Sequence, residues 1–263
     1  MNLPASAPVA EGRAPVSRLR LWAGLVVLAG VGILLATPLF LGFLQGVVAS
    51  GKTALPLGAL LLLQDVQALA LASLAAAVGV WTAPQVGLDA PLLRGWLSGE
   101  RVGGRLYRLL PDSVLAGTVC AAAVLVVSVA SSGLGPAASP PKLSPWVGAT
   151  GAFYGGIVEE ILTRWGLLSL LFFGVRRLGA SEGVSFWVAN LAAALAFGLL
   201  HLPLAFQLGM PRTPAVLAYL LAGNGVVGLV CGWLFRRRGL ESAMLAHGSA
   251  DVWLHAVFPA LGL

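Results

Sequence analysis

The sequence predicts an all-α fold: a polytopic transmembrane helix bundle of about seven spans plus an interfacial amphipathic segment. Three observations carry that prediction. Of 263 residues, 58% are hydrophobic and only 10% charged, whereas soluble globular domains carry roughly 25% charge, so an ordinary hydrated surface cannot be built. Stretches such as Leu21 to Val48 and Ala192 to Leu200 are apolar on every face, which excludes the alternating pattern of a membrane β-barrel. The chain, with a mean hydropathy of +0.91, accommodates several of the roughly 20-residue apolar runs that a spanning helix needs. Disorder, collagen and nucleic-acid-binding modules are excluded on the same grounds.

In chain order, residues 1–19 are rich in Pro, Ala and Ser and read as a mobile tail. Residues 20–263 form a single transmembrane domain. Span one covers about Leu21 to Val48, too long for a cleavable signal peptide, with a kink expected at Pro38. Span two covers about Leu55 to Trp81. Residues 84–111 interleave Arg94, Arg101, Arg105 and Arg108 with leucines and Trp96, the pattern of a segment lying on the membrane. Span three covers about Ser113 to Val129, and a Gly/Pro/Ser-rich loop runs from Ser131 to Pro145. Spans four to seven follow at about Trp146 to Val175, Val184 to Phe206, Ala215 to Phe235 and Glu241 to Val257.

The basic residues test this partition independently of hydropathy. With a cytoplasmic N-terminus, twelve of them fall inside: Arg13, Arg18 and Arg20, the four of the 84–111 segment, Arg176 and Arg177, and Arg236 to Arg238. Only Lys52, Lys142 and Arg212 fall outside. The net charge of +6 therefore marks topology and contact with anionic lipid, not a nucleic-acid site. Trp22, Trp81, Trp146, Trp187 and Trp233 lie near span ends as interfacial belt residues. Cys120 and Cys231 sit inside apolar runs and read as packing residues, and Asn190 and Asn224 as interhelical hydrogen bonders.

Spans four, five and seven contain Glu159, Glu160, Arg164, His201, His247 and Asp251. An ionisable group at the bilayer centre costs about 2.5 to 3.5 kcal/mol, so six facing lipid would cost on the order of 15 to 20 kcal/mol. They must face one another or a wet cavity. Glu160 and Arg164 stand at i,i+4 with the acid first, the favourable order for an intrahelical ion pair. Glu159 points about 100° away, so one glutamate is neutralised while the other stays available for chemistry. Gly151, Gly155 and Glu159 follow at i, i+4 and i+8, a small-residue face open to a neighbouring helix. His247, Asp251 and His255 share one face of span seven, with His255 near its outer, interfacial end. Asp65, with Gln64 and Gln67, is a further polar island in span two, placed near the cavity and Arg164 or in a local polar contact. Straight helices leave a depth mismatch: His201 lies near the outer end of span five, His247 only about 10 Å from the inner end of span seven. Tilt, a kink at Pro203 or a shifted helix start would reconcile them.

Glu159-Glu160-x-x-x-Arg164, Phe197-x-x-x-His201 and His247-x-x-x-Asp251 resemble, in order and spacing, the three motifs of the CPBP family of intramembrane proteases. That family contains the type II CAAX prenyl endopeptidases and bacteriocin-processing and immunity-related proteins. The resemblance covers residues from about 146 to 257, the motif-bearing part. It implies hydrolysis of a peptide bond in a membrane-associated protein or peptide, with Glu159 activating water, His201 holding it, His247 and Asp251 stabilising the oxyanion, and Glu160 with Arg164 as supporting ion pair. Position 251 is often Asn in the family, and an ionised Asp accepts but does not donate. Asp251 must then be protonated, orient His247 or bind a metal. A Zn-type ligand set from Glu159, His201, His247 and Asp251 and a metal-free route both stay open. No His-Glu-x-x-His, Gly-x-Ser-Gly or Gly-x-Gly-Asp motif points to another intramembrane protease class. The alternative class is a non-catalytic transport, immunity or protein-binding module on the same scaffold. Fourteen Arg against two Lys point to a GC-rich genome and hence to a bacterial inner membrane, where a prenylated substrate is not expected.

Overall fold

The computed structural model describes residues 16–51, 53–132 and 144–262. Arg13, Lys52, Lys142, most of the N-terminal tail and most of the Ser131 to Pro145 loop lie outside them. Among the described residues the regular structure is entirely helical. Five helices are long and apolar enough to cross a membrane. They are α1 (Arg18–Leu35), α3 (Leu57–Thr82, with a 3-10 extension Ala83–Val86), α5 (Gly103–Ser132), α8 (Glu182–Gln207) and α9 (Pro214–Arg238). Shorter helices are α2 (Thr37–Ala49), α4 (Pro91–Leu97), α6 (Pro145–Phe153), α7 (Ser169–Arg177), α10 (Leu240–Val252) and α11 (Phe258–Ala260).

The differences from the expected partition have local causes. Span one is two helices: α1 stops at Leu35, and Pro38 sits in the first turn of α2, where its missing amide costs nothing. The interfacial segment is shorter than expected, because α5 begins at Gly103 and carries Arg105 and Arg108 on its first turns. Spans four and seven are helical throughout but not uniformly α. Tyr154–Glu159 and Ile161–Leu168 join α6 to α7 as π-helix, and Trp253–Val257 joins α10 to α11. Pro203 does not break α8.

The packing is that of a bundle in lipid. Leu62, Leu63, Val66 and Leu74 of α3 and Leu191, Leu195 and Leu199 of α8 face outward, an apolar surface too large for a monomer in water. The inward stripe of α3 is small instead: Ala68, Ala72, Ala76 and Gly79 are buried, which lets helices approach through van der Waals contact. Trp165 fills the space this stripe leaves, fully buried, with its indole N–H donating to the Ala76 carbonyl at 3.2 Å. Asn190 donates across to the Leu229 carbonyl at 3.1 Å, as expected of an interhelical bond. Asn224 does not; it donates to Leu220 O one turn back on its own helix. Both cysteines are buried and free. Trp81, Trp146, Trp187 and Trp233 are exposed at helix ends, whereas Trp22 leans inward and donates to Ser73 O at 3.0 Å.

The described arginines of the expected inner set gather at one end of the bundle. Arg20 donates to Leu97 O at 3.0 Å, Arg18 lies over Trp81, Arg236 pairs with Glu182 at 2.8 Å and Arg238 with Asp112 at 2.6 Å. These contacts place the starts of α1, α5 and α8 beside the ends of α3, α4 and α9. Gly239, at φ 97°, turns α9 back into α10 where only glycine adopts that conformation without strain. The Glu241 carboxylate then accepts from Leu93 N at 2.7 Å, fastening the hairpin to α4.

A methyl group on Gly79 would collide with Trp165, whereas one on Gly58 meets nothing within 4 Å. Gly79→Val is therefore expected to lower stability by about 1 to 3 kcal/mol through overpacking, read as a drop in detergent melting temperature, with Gly58→Ala unchanged.

Candidate functional site

The site is built around the two π-helical turns. A π turn carries one residue more per hydrogen-bonded ring than an α turn and occurs frequently at functional sites. Here its first turn also carries two adjacent glycines. A Cβ at Gly156 would stand 2.8 Å from Met244 O and 3.1 Å from the Gly248 Cα. One at Gly155 would overlap the Asp251 carboxylate and lie 3.2 Å from His247 Nε2. The backbone of α10 thus lies directly against the π turn, and this contact delivers His247 and Asp251 to the glutamates.

Glu160 is the buried anchor, with no exposed surface. Its Oε1 accepts from His247 Nδ1–H at 2.7 Å and lies 3.2 Å from Arg164 Nη1, the intrahelical pair expected from the spacing. The Arg164 guanidinium is itself buried, lies over the Phe197 ring at 4.7 Å and donates to Thr163 Oγ1. Thr163 in turn donates to Glu159 O at 2.5 Å.

Glu159 differs from Glu160, as the sequence reading required: its side chain is 21% exposed. Oε1 lies 4.0 Å from His201 Nε2, and Oε2 lies 3.8 Å from His247 Nε2. His201 Nδ1 is 2.8 Å from the Phe197 carbonyl. A carbonyl only accepts, so Nδ1 carries a proton and Nε2 faces Glu159. Asp251 Oδ1 lies 3.8 Å from His247 Nε2 and 3.9 Å from His255 Nε2. His255 is 55% exposed, in keeping with its expected interfacial place. Phe197 walls the group, its ring edge-on to His201 at 4.6 Å and to His247 at 5.5 Å. Separations of 3.8 to 4.0 Å exceed a direct hydrogen bond of about 2.7 to 3.2 Å.

All six residues singled out from the sequence therefore meet, although the helices differ in where they begin. A Cβ at Gly232 would overlap Asn190 Oδ1, which sets the register of α8 on α9, while Cys231 Sγ lies 3.7 Å from Ala243 O across the α9–α10 hairpin. On that register α10 starts about 9 Å deeper than α8 at 1.5 Å per residue. The two Glu159 oxygens, one toward each ring, bridge the remaining offset between His201 and His247.

Two neighbours carried no sequence signal. Cys231 lies with Glu160 and His247, their ligand atoms all within 4.8 Å of one another. Arg164 and His247 share Glu160 Oε1, and Oε2 is buried with no hydrogen-bond partner among the described residues. Tyr154 stacks edge-on with Phe40 at 5.0 Å and is close enough to Glu159 and Asp65 to feel both charges. The Nε2 of Gln64, next to Asp65 in the chain, is buried without a hydrogen-bond partner among the described residues. Tyr154 precedes Glu159 by five residues, a π spacing that a reading at 3.6 residues per turn passes over.

Residues 141–253 match the family model described as Type II CAAX prenyl endopeptidase Rce1-like. This stretch carries all three motifs, so the resemblance they carried holds. No curated protein and no solved structure matches the chain.

Arg164→Gln leaves Glu160 buried and loses its strongest neutralising partner, and the expected loss of stability is about 3 to 5 kcal/mol. The double substitution Glu160→Gln/Arg164→Gln removes both charges and is expected to unfold at a higher temperature than Arg164→Gln alone.

Proposed function

We propose, with the Rce1-like match over residues 141–253 as premise, that the protein is an intramembrane endopeptidase. Its substrate would be a peptide bond of a membrane-associated protein or peptide. The observation that carries this reading is the convergence of one partly exposed carboxylate and two imidazole nitrogens, all within 4.0 Å of a Glu159 oxygen.

In this reading a water occupies the space between Glu159, His201 and His247. It donates one proton toward Glu159 and the other toward the lone pair of His201 Nε2. Glu159 removes its proton as the water oxygen attacks the carbonyl carbon of the substrate, and general base catalysis of this kind contributes about 10²- to 10⁴-fold. The negative charge gathers on the former carbonyl oxygen, opposite His247. Glu160 holds Nδ1 of that ring, so a doubly protonated His247 presents Nε2–H to the oxyanion. As the tetrahedral intermediate collapses, the carbon–nitrogen bond breaks and Glu159 returns its proton to the departing amine. Asp251 orients His247 from one side and His255 from the other. Glu160 and Arg164 touch no reacting atom and act as positioning residues.

Glu159, His201, His247 and Asp251 are residue types that ligate a divalent cation of the Zn type and would be the ones to hold it. Bound there, such an ion would supply Lewis-acid polarisation of the water and carbonyl. The gathering of arginines at one bundle end supports a cytoplasmic N-terminus.

Purified protein is expected to cleave membrane-associated peptides in detergent, and Glu159→Gln and His201→Ala to lose cleavage by at least about 10²-fold while melting near the wild type. Wild-type rates in Glu159→Gln would overturn the proposed base. Full biological activity of Glu159→Gln/His247→Ala would instead identify a non-catalytic transport, immunity or binding module. Metal analysis combined with a chelator separates the two modes of water activation: undiminished cleavage by metal-free protein assigns it to Glu159 and His201 alone.

A further inference from the structure

At the arginine-rich end of the bundle, away from the motif residues, an open pocket of about 220 Å³ is lined by Pro91, Leu92, Arg105, Arg108, Leu109 and Arg238. Three chain segments make it: the start of α4, the first turns of α5 and the last residue of α9. From its geometry and charge we propose that this pocket binds the phosphodiester headgroup of an anionic phospholipid.

Three arginines and no acidic residue line it. Arg105 pairs with Glu100, and Arg238 pairs with Asp112 at 2.6 Å. A guanidinium has five N–H donors and one carboxylate engages at most two of them in a bidentate pair, so each keeps donors to spare. Arg108 has no ion pair among the described residues. Three permanently charged arginines beside one opening suit a phosphate, whose oxygens accept bidentate bonds.

The rest of the wall selects a lipid over a free anion. Pro91, Leu92 and Leu109 are apolar and lie beside the arginines, so a ligand that fills the pocket must be charged at one end and apolar at the other. The location agrees, since the same bundle end gathers Arg18, Arg20, Arg236 and Arg238 and lies where headgroups reside. A headgroup held here ties α5 to the α9–α10 hairpin, the element that carries His247. The proposal does not depend on peptide cleavage.

Delipidated full-length protein in a neutral detergent is titrated with dioctanoyl phosphatidylglycerol, dioctanoyl phosphatidylcholine or inorganic phosphate at matched ionic strength, with bound ligand counted by native mass spectrometry. Phosphatidylglycerol is expected to bind and raise the melting temperature. Arg108→Gln is expected to weaken it by about tenfold to a hundredfold, the worth of one charged hydrogen-bonding group. Leu109→Glu, which places a carboxylate in the pocket, abolishes binding should Arg108→Gln fail to fold. Arg177→Gln, exposed at the same membrane end but outside the pocket, binds as the wild type does. Equal binding of the neutral and anionic lipids overturns the proposal, as does wild-type affinity in the folded pocket variants. Inorganic phosphate bound as tightly as phosphatidylglycerol assigns the pocket to a free anion and equally overturns it.

Discussion

A carboxylate with no exposed surface in the hydrocarbon layer is the constraint on which the rest of this structure depends. Glu160 is held by Arg164 from its own helix and by His247 from another, both on the same oxygen. Neither partner is optional, because an isolated buried charge costs several kcal/mol even after relaxation. The arrangement consequently determines where α10 sits against the π-helical segment and which way the His247 ring faces. Its Nε2 has only one direction left, toward Glu159 and Asp251. The ion pair that looks structural therefore fixes the geometry of the groups that look chemical.

The π turns supply the second half of that geometry. A straight α-helix presents adjacent glutamates on different faces, and the structure gives these two different surroundings: Glu160 is sealed and Glu159 remains partly open. Gly155 and Gly156 remove the side chains that would hold α10 away. Widened backbone and missing Cβ atoms act together, since the contact with Met244 O and Gly248 requires both the position of the turn and its lack of bulk. The same economy of size recurs where Gly79 admits Trp165 against α3, as expected where packing must replace the hydrophobic effect between helices.

Charge also arranges the molecule along the membrane normal. The arginines that the loop count assigns to one side do meet at one end, through pairs that cross between helices distant in sequence. Helix ends, a short interfacial helix and a basic pocket form a single layer there, in which α4 is fastened to the α9–α10 hairpin by Glu241. The motif residues lie within the bundle and the basic layer at its rim, joined by α10, so binding at the rim and chemistry within bear on a shared element.

The sequence by itself determined the all-α membrane class of the fold and which intramembrane ionisable residues come together. Each of these follows from local chemistry: apolar runs have nowhere to go but lipid, and intramembrane Glu, His and Arg must find one another. Helix interruptions were less legible, because Pro38 reads as a kink whether the break falls at it or before it, and an i,i+5 turn leaves no mark in a 3.6-residue pattern. Cys231 and Tyr154 were invisible as site neighbours, one lying in an unremarkable apolar run and the other carrying a common interfacial residue type. Only the tertiary structure decided how deep each helix starts, and so whether His201 and His247 could share one carboxylate. That depth is set by groups meeting across helices, Cys231 against Ala243 and Asn190 against Gly232, and no periodicity within a single helix records where its neighbour begins.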